Sequence, residues 1–432
     1  MGDSFKTKII TVHRGARDGY QVSRALSDAG LLEALITDLY WPADRVIART
    51  IERVVPSKLS TILRSRHAET LPSGLVTQCW GTGVVSAAAE KTHWLPFHLA
   101  RAGVRWCDRT LGACAGRLAT ERRAAILSYS YYAHSAFSNY NGNMPRILFQ
   151  LHPHPTSVRA ILRQERVLNP DCASSLDKEW ELALPEEDFA RLIEETALAQ
   201  HWVVASQFTK RTLIEAGIPP DRIGVIPYGI DLDRFTPRRR ARVEGKPLQL
   251  LFVGTLGQRK GIKYLLQALE LLPAGSVELT MCGRAVDDLA MLRNNRIPIR
   301  LRPSISPQGL LEAYRSADVF VFPSLAEGFG HVLLEAMATG LSIISTARTA
   351  APDLITHGEE GFIVGPGDAS ELATRIEEFL RIPEKVESMG RAARRRAEHF
   401  TWSRFRDGVA GFVGNILSQS PDRVGTETCL QR

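Results

Sequence analysis

Val319-Phe320-Val321-Phe322-Pro323-Ser324-Leu325-Ala326-Glu327-Gly328-Phe329-Gly330-His331-Val332-Leu333-Leu334-Glu335-Ala336-Met337 is the stretch on which the reading of this chain turns. Its first four residues are uniformly apolar and β-prone, the pattern of a strand buried on both faces. Pro323 ends the strand, glycines follow, and from His331 the apolar residues recur at helical spacing through 339. Strand, Gly-containing turn and helix make half of a βαβ unit. Gly-Phe-Gly at such a turn lets backbone N–H groups approach whatever lies in front of it. Glu327 stands at the tip of the turn, and Glu335 follows eight residues later. That is about two helical turns, which puts both on roughly the same side. An ionised carboxylate only accepts hydrogen bonds, and sugar and ribose hydroxyls donate them. The pair therefore suits hydroxyl recognition, although taken alone either acid would equally serve a helix N-terminus or a solvated face.

Outward from this stretch the rhythm continues. Strands are predicted at 248–253, 277–281, 297–301, 319–322 and 342–345, alternating with helices at 262–272, 307–316, 331–339 and 369–380. Pro298 assigns the third strand to a sheet edge. Such alternation implies a parallel sheet covered by helices on both faces. An earlier unit starts with a strand at 8–12, a loop at 13–19 and a helix running through Leu32, with further strands at 124–127, 146–151 and 202–205. Residues 41–123 read as less regular, Arg-rich and mostly helical, and 174–200 as helical and acidic. The stretch 226–246 holds Pro227, Gly229, Pro237, Gly245 and the run Arg238-Arg239-Arg240, and reads as a linker. The organisation expected is thus two α/β domains, 1–230 and 247–400, joined by 231–246. A C-terminal helix and tail at 401–432 is expected to pack back on the first domain. Two such units place a cleft between the carboxyl ends of their sheets, where ligands bind in doubly wound folds.

A second Gly-rich cluster, Gly254-Thr255-Leu256-Gly257-Gln258-Arg259-Lys260-Gly261, also follows a strand and precedes a helix. No Gly-Lys-Ser/Thr ends it, so it is not a Walker A loop. Its glycines and its two cations nevertheless suit an anion, and read alone it is also an ordinary basic turn.

Composition narrows the function classes. With 44% hydrophobic and 23% charged residues the chain is an ordinary globular one. No window approaches the roughly 18 apolar residues of a membrane span, and Met1 to Lys6 opens no secretory signal. Six scattered cysteines, none in a C-x-x-C pair, predict reduced thiols rather than a zinc or redox site. The net charge of +7 permits an anionic partner without choosing one.

Together the two clusters resemble the retaining GT-B glycosyltransferases of family four, the glycosyl transferases group 1. The resemblance runs over roughly residues 195–405, through Ala205-Ser206, Ile226-Pro227-Tyr228-Gly229-Ile230-Asp231, Phe252-Val253-Gly254, Arg259-Lys260-Gly261, Ala317-Asp318-Val319, Glu327-Gly328-Phe329-Gly330, Glu335-Ala336-Met337 and Gly361-Phe362. It implies a GT-B fold of two Rossmann-like parallel-sheet domains facing a central cleft. It implies transfer of a sugar from a nucleotide-sugar donor, UDP- or GDP-linked, to an acceptor hydroxyl with retention, in glycan, polysaccharide or glycolipid biosynthesis.

The resemblance also implies roles. Lys260 binds the donor pyrophosphate. Thr255 stands where many relatives carry Arg, so Arg259 is expected to supply that charge. Glu327 holds the donor sugar and Glu335 the ribose, while the backbone of Gly328, Phe329, Gly330 and His331 meets sugar and phosphate. Gly15, in the loop Arg14-Gly15-Ala16-Arg17-Asp18-Gly19, lies at the crossover where relatives carry a Gly-Gly pair. A histidine is expected at the end of a strand of the first domain; His152 and His154 both qualify, and His152 is nearer the strand end. A metal held by these two histidines is the alternative, without a third ligand in view. Asp231-Leu232-Asp233 reads as the family's Gly-Ile-Asp turn rather than a divalent-metal site, so neither metal nor cofactor is expected.

The location expected is cytoplasmic, with peripheral association at the inner face of an anionic membrane. That second expectation rests on Arg49, Arg53, Lys58, Arg64 and Arg66, and on Arg101, Arg105 and Arg109 beside Phe97, Leu99, Val104 and Trp106. Among competing classes, a glycoside hydrolase needs two carboxylates flanking one bond, and Glu327 and Glu335 share one turn and helix. A dinucleotide oxidoreductase needs G-x-G-x-x-G, which neither Gly81-Thr82-Gly83 nor Gly328-Phe329-Gly330 completes. No nucleic-acid-binding motif is present. A catalytically silent partner or scaffold of the same fold is the remaining alternative, and Lys260, Glu327 and Glu335 speak against it.

Overall fold

A computed structural model describes residues 7–43, 55, 60, 63–83, 85, 97–237, 245–286 and 297–419. Two parallel sheets organise the chain. The first holds β1 (Ile9–Val12), β2 (Leu32–Thr37), β3 (Val76–Gln78), β4 (Ala125–Tyr129), β5 (Arg146–Gln150), β6 (His201–Val204) and β7 (Ile223–Val225) in the order 3-2-1-4-5-6-7. The second holds β8 (Leu248–Val253), β9 (Val277–Cys282), β10 (Ile299–Arg302), β11 (Val319–Phe322), β12 (Ser342–Thr346) and β13 (Gly361–Val364) in the order 10-9-8-11-12-13. Every described pairing is parallel, as the continuous apolar runs require. The strand order reverses between β1 and β4 and again between β8 and β11. These two switch points face each other and set the cleft.

The longer helices are α1 (Gln21–Asp28), α2 (Phe97–Glu121), α3 (Ala133–Ser138), α4 (Pro155–Leu168), α5 (Glu186–Leu198), α6 (Gln207–Glu215), α7 (Ile262–Glu270), α8 (Pro307–Ser316), α9 (His331–Ala338), α10 (Ala369–Arg381), α11 (Glu384–Ala397) and α12 (Trp402–Ser418). Helix α12 lies against α1 of the first domain. Arg406 donates to the Gln21 side chain at 2.9 Å, and Phe405 and Val409 are fully buried. The crossing back is tight: a Cβ on Gly229 would stand 2.3 Å from the Trp402 nitrogen, so only glycine fits there.

Two expectations need correction. The first helix does not run through Leu32. Gly30, with φ of 67°, turns the chain out of the helix, and the Leu31 N–H closes back on the Leu26 carbonyl at 2.7 Å. Leu32 then opens β2, whose Leu-Glu-Ala-Leu-Ile-Thr sequence carries helix formers but is buried between β1 and β3. The strand near Pro298 lies at the edge, as the proline requires, but occupies Ile299–Arg302. The expectations placed on Arg49, Arg53, Lys58 and Arg238-Arg239-Arg240, and the tail from 420 with Cys429, lie outside the described residues, as do the side chains of Phe97 and Arg101.

Candidate active site

The floor of the cleft is made by the turns after β8 and β11. Gly254 and Gly261 take φ of 150° and 73°. A Cβ on Gly261 would approach the Pro323 carbonyl to 2.1 Å, so this glycine allows the two turns to pack. They are then tied together. Leu325 N–H donates to the Arg259 carbonyl at 2.8 Å, the Ser324 hydroxyl to the same carbonyl at 3.2 Å, and the Lys260 ammonium pairs with the Glu327 carboxylate. Gly330, with φ of 86°, is the N-cap of α9.

The first domain closes over this floor from the ends of β1, β4 and β5. Leu151 and His152 come from β5, Tyr129 from β4, and Arg17 and Asp18 from the loop after β1. With Thr255, Lys260, Glu327, Gly328, Phe329, Gly330, His331 and Tyr228 they line one cavity of about 420 Å³. The domains touch at its base. The Ser206 and Thr209 hydroxyls both donate to the Gly328 carbonyl, at 2.6 and 3.2 Å. A Cβ on Gly328 would stand 2.1 Å from the Leu151 carbonyl oxygen.

Burial alone would raise the Glu327 carboxyl. The charges of Lys260 and Arg259, with the Lys260 hydrogen bond, override it and hold the group at about 2. Burial draws the Lys260 ammonium down against the opposing pull of Glu327. His152 is held at about 4 by burial and by the Arg259 charge, so its ring is neutral near pH 7. The cavity thus presents an ionised carboxylate, a cation beside it and a neutral imidazole.

Of the residues singled out in the sequence, His152, Thr255, Lys260, Glu327, Gly328, Phe329, Gly330 and His331 meet in this cavity. Gly15, Arg259 and Glu335 lie outside its lining. Gly15 donates its N–H to Asp38 at 2.8 Å. Arg259 turns toward the first domain, its Nε 2.9 Å from Glu179. Glu335 accepts the Tyr314 hydroxyl at 2.7 Å, and burial raises its carboxyl. His154 points elsewhere, its Nδ1 2.6 Å from the Thr156 hydroxyl at the start of α4. Asp231 accepts the N–H groups of Asp233 and Arg234, which makes it a turn former. Among the described residues no three His, Cys, Asp or Glu side chains converge as metal ligands.

Sequence reasoning missed Arg17, Asp18, Tyr129 and Tyr228. The available signal was position: all four sit at the carboxyl end of a strand or within a few residues beyond it, Tyr129 on β4, Arg17 and Asp18 after β1 and Tyr228 after β7. The loop after β1 is also conformationally costly, with positive φ at Asp18 (43°) and Tyr20 (63°), a feature that concentrates at functional sites. Asp18 accepts the Tyr129 hydroxyl at 2.5 Å and the Gln21 N–H at 3.0 Å.

Burial pushes the Asp18 carboxyl up from 3.8 to about 7, against the Tyr129 hydrogen bond. A raised folded-state pKa means that the folded protein keeps a proton the unfolded chain has lost. The group's contribution to stability is therefore complete below about pH 4 and is lost as pH rises through about 7. Asp18→Asn cannot ionise. Its melting temperature relative to wild type is expected to rise by several degrees between about pH 5 and about pH 8; parallel curves for the two proteins would contradict the assignment.

Comparison with known proteins agrees with this geometry. Residues 233–396 match the family described as Glycosyl transferases group 1, and residues 176–234 match Glycosyltransferase Family 4. The chain is 30% identical over 212 residues to a sulfoquinovosyl transferase of Arabidopsis thaliana, covering 46% of this chain and 41% of that protein. It is 30% identical over 264 residues to a D-inositol 3-phosphate glycosyltransferase of Corynebacterium aurimucosum, covering 55% and 63%. The chain spans about half the length of the curated relatives it matches. Among solved structures, sucrose-phosphate synthase from Thermosynechococcus elongatus superposes with a TM-score of 0.61 at 18% identity, over 96% of this chain and 98% of that one. Anabaena HepE in complex with UDP-glucose gives 0.55 at 16% identity, over 95% and 100%. Residues 233–396 and 176–234 thus resemble the glycosyl transferases group 1 and Glycosyltransferase Family 4 models, and the two facing parallel sheets with these structural neighbours give the chain the GT-B fold.

Proposed function

We propose that the protein transfers a sugar from a nucleotide-sugar donor to an acceptor hydroxyl, with retention of anomeric configuration and without a metal. The observation that carries this reading is the juxtaposition of Lys260 and Glu327 on the floor of the cleft with neutral His152 above them. Departure of the nucleotide builds negative charge on the diphosphate and positive charge on the sugar. Lys260 and the backbone at the start of α9 answer the first. One unit-charge pair near 4 Å contributes about 4 kcal/mol at an effective dielectric of 20. Glu327 accepts the sugar hydroxyls and faces the developing positive charge. The bond from the anomeric carbon to the diphosphate breaks as the bond to the acceptor oxygen forms on the same face. The acceptor proton passes to the departing phosphate oxygen, so no enzymic carboxylate nucleophile is required. His152, uncharged, orients the sugar without repelling it.

A structural relative was solved with UDP and glucose, another form of it with UDP-glucose, and curated relatives are named as glycosyltransferases. A UDP- or GDP-sugar donor follows as the first choice, in glycan or glycolipid biosynthesis, with a cytoplasmic location. No helix among the described residues is long and apolar enough to cross a membrane. Peripheral attachment to an anionic membrane draws on the exposed Leu99 and Trp106. Arg105 pairs with Asp188 at 2.8 Å while its side chain stays 41% exposed, and Arg109 is exposed; both also line a cavity of the first domain.

The test is a thermal-shift panel of UDP, GDP, ADP and their sugars, followed by donor turnover in EDTA. A ligand at 100 times its dissociation constant adds about 2.7 kcal/mol of apparent stability. One nucleotide series is expected to stabilise the protein, with turnover unchanged by EDTA. Loss of turnover in EDTA restored by Mg²⁺ or Mn²⁺ would remove the leaving-group role from Lys260. The same preparation, co-sedimented with anionic vesicles at low salt, reads the membrane part.

A further inference from the structure

A second cavity, of about 310 Å³, opens beside the first on the side of the N-terminal domain, and Arg17 lines both. Its walls are of two kinds. One is apolar: Val104 of α2, Leu184, and Trp180, whose ring is 47% exposed. The other is cationic. Arg105 and Arg191 share Asp188, and Arg14 faces Asp108 at 3.6 Å. Arg17 and Arg109 make no ion pair among the described residues. Arg17 is half-buried, and its guanidinium lies over the Tyr132 ring at 5.9 Å. The neighbouring Asp18 accepts the Tyr129 hydroxyl and the Gln21 N–H, and the Arg17 charge favours its ionised form. Half-buried Arg17 and exposed Arg109 both face this cavity, and an anionic group reaching the two would accept charge-assisted hydrogen bonds from both.

The two cavities are joined by a fixed aromatic. The Tyr131 ring meets His152 at 5.9 Å on one side and Trp180 at 6.0 Å on the other. Its backbone takes φ of 83°, unfavourable for any residue but glycine, and the buried Glu195 carboxylate holds it there by accepting the Tyr131 N–H at 2.9 Å and the His134 N–H at 3.3 Å. Tyr131 thus forms a rigid step from the reaction centre to the apolar wall. A molecule reaching from His152 along this step meets Arg17 first and Trp180 next.

We propose that the acceptor is a phosphorylated amphiphile, with its phosphate on Arg17 and Arg109, its apolar substituent against Trp180, Leu184 and Val104, and its hydroxyl presented at His152. The word acceptor rests on the transferase reading above; the ligand chemistry of the cavity does not.

Hexyl phosphate, inorganic phosphate and 1-hexanol serve as probes, titrated calorimetrically into the full chain. Hexyl phosphate is expected to bind at least tenfold more tightly than either of the others. Arg17→Gln should weaken hexyl phosphate about tenfold and leave hexanol unchanged, with partial recovery in Arg17→Lys. Trp180→Ala, at a half-exposed position, should reduce hexyl phosphate to the level of inorganic phosphate. Lys260→Ala should leave hexyl phosphate binding intact. Equal binding of hexyl and inorganic phosphate, no effect of Arg17→Gln, or loss in Lys260→Ala alone would each overturn the proposal, the last because it would place the phosphate in the donor cavity. A nucleotide thermal shift measured on the same proteins separates the two readings. Nucleotide binding without hexyl phosphate binding defeats this proposal only, and the reverse defeats the donor assignment only.

Discussion

Gly328→Ala is expected to lower turnover by at least a hundredfold in a protein that still folds. The reason is geometric. The added methyl group would stand 2.1 Å from the Leu151 carbonyl oxygen and 3.2 Å from the His152 Cα, and both are backbone atoms that cannot swing aside. The turn cannot simply rise either, because the Gly328 carbonyl is held by the Ser206 and Thr209 hydroxyls. Relief comes only by separating the domains at the base of the cleft. That moves Glu327 and Lys260 away from His152, and misplacement of about 1 Å can cost a hundredfold in rate. Overpacking of this kind destabilises by about 1–3 kcal/mol, which a two-domain protein of this size survives. Circular dichroism, melting temperature and steady-state kinetics on the purified variant decide the matter. Near-wild-type turnover would mean that the domains do not need this contact during the reaction.

The same contact shows why some of the site was legible in the sequence and some was not. Residues 254–261 and 323–331 carry their chemistry in contiguous runs, each after a strand and before a helix. Local pattern was enough to place Lys260, Glu327 and the glycines together, and the structure brings them into one cavity. Arg17, Asp18, Tyr129 and Tyr228 reach that cavity from separate places in the chain, up to 211 positions apart, and only the order of the strands brings them together. Arg259 shows a different limit. Its place beside Lys260 suggested a second phosphate cation; its guanidinium also reaches Glu179 of the other domain, remote in sequence, while its charge still acts on Glu327. Glu335 was read as sharing a side with Glu327, and its carboxylate instead meets Tyr314 on α8. The eight-residue separation could not foretell this, because Glu327 precedes the helix and helical spacing begins only at His331. The strand missed at Leu32–Thr37 has a related cause: its residues favour helix locally, and burial between two strands overrides them.

Glu327 and Glu335 should accordingly fail in different ways. In the proposed reaction Glu327 acts on the sugar as positive charge develops, so Glu327→Ala is expected to lower kcat by at least a hundredfold. It should not weaken free nucleotide. Lys260, now released from its carboxylate, becomes more available to a diphosphate, and affinity for UDP or GDP should hold or rise. The cost appears in stability instead, since removing one partner of a buried ion pair leaves the other uncompensated, at about 3–5 kcal/mol. Bound nucleotide should restore part of it. Glu327→Gln keeps the shape, loses the charge and should also be slow.

The family resemblance assigns Glu335 to the ribose, which changes little between ground and transition states. Glu335→Ala should weaken donor and free nucleotide alike by roughly tenfold to a hundredfold, the loss of a hydrogen bond to a charged group at about 1.5–3 kcal/mol. For this the carboxylate must leave Tyr314 or share it. Tyr314→Phe therefore provides a control: it frees Glu335 without removing it, and should weaken nucleotide less than Glu335→Ala does. Calorimetry with the nucleotide and kinetics on the four variants separate these outcomes. Unchanged nucleotide affinity in Glu335→Ala would return that residue to a packing role beside Tyr314. Unchanged turnover in both Glu327 variants would place the sugar elsewhere in the cleft.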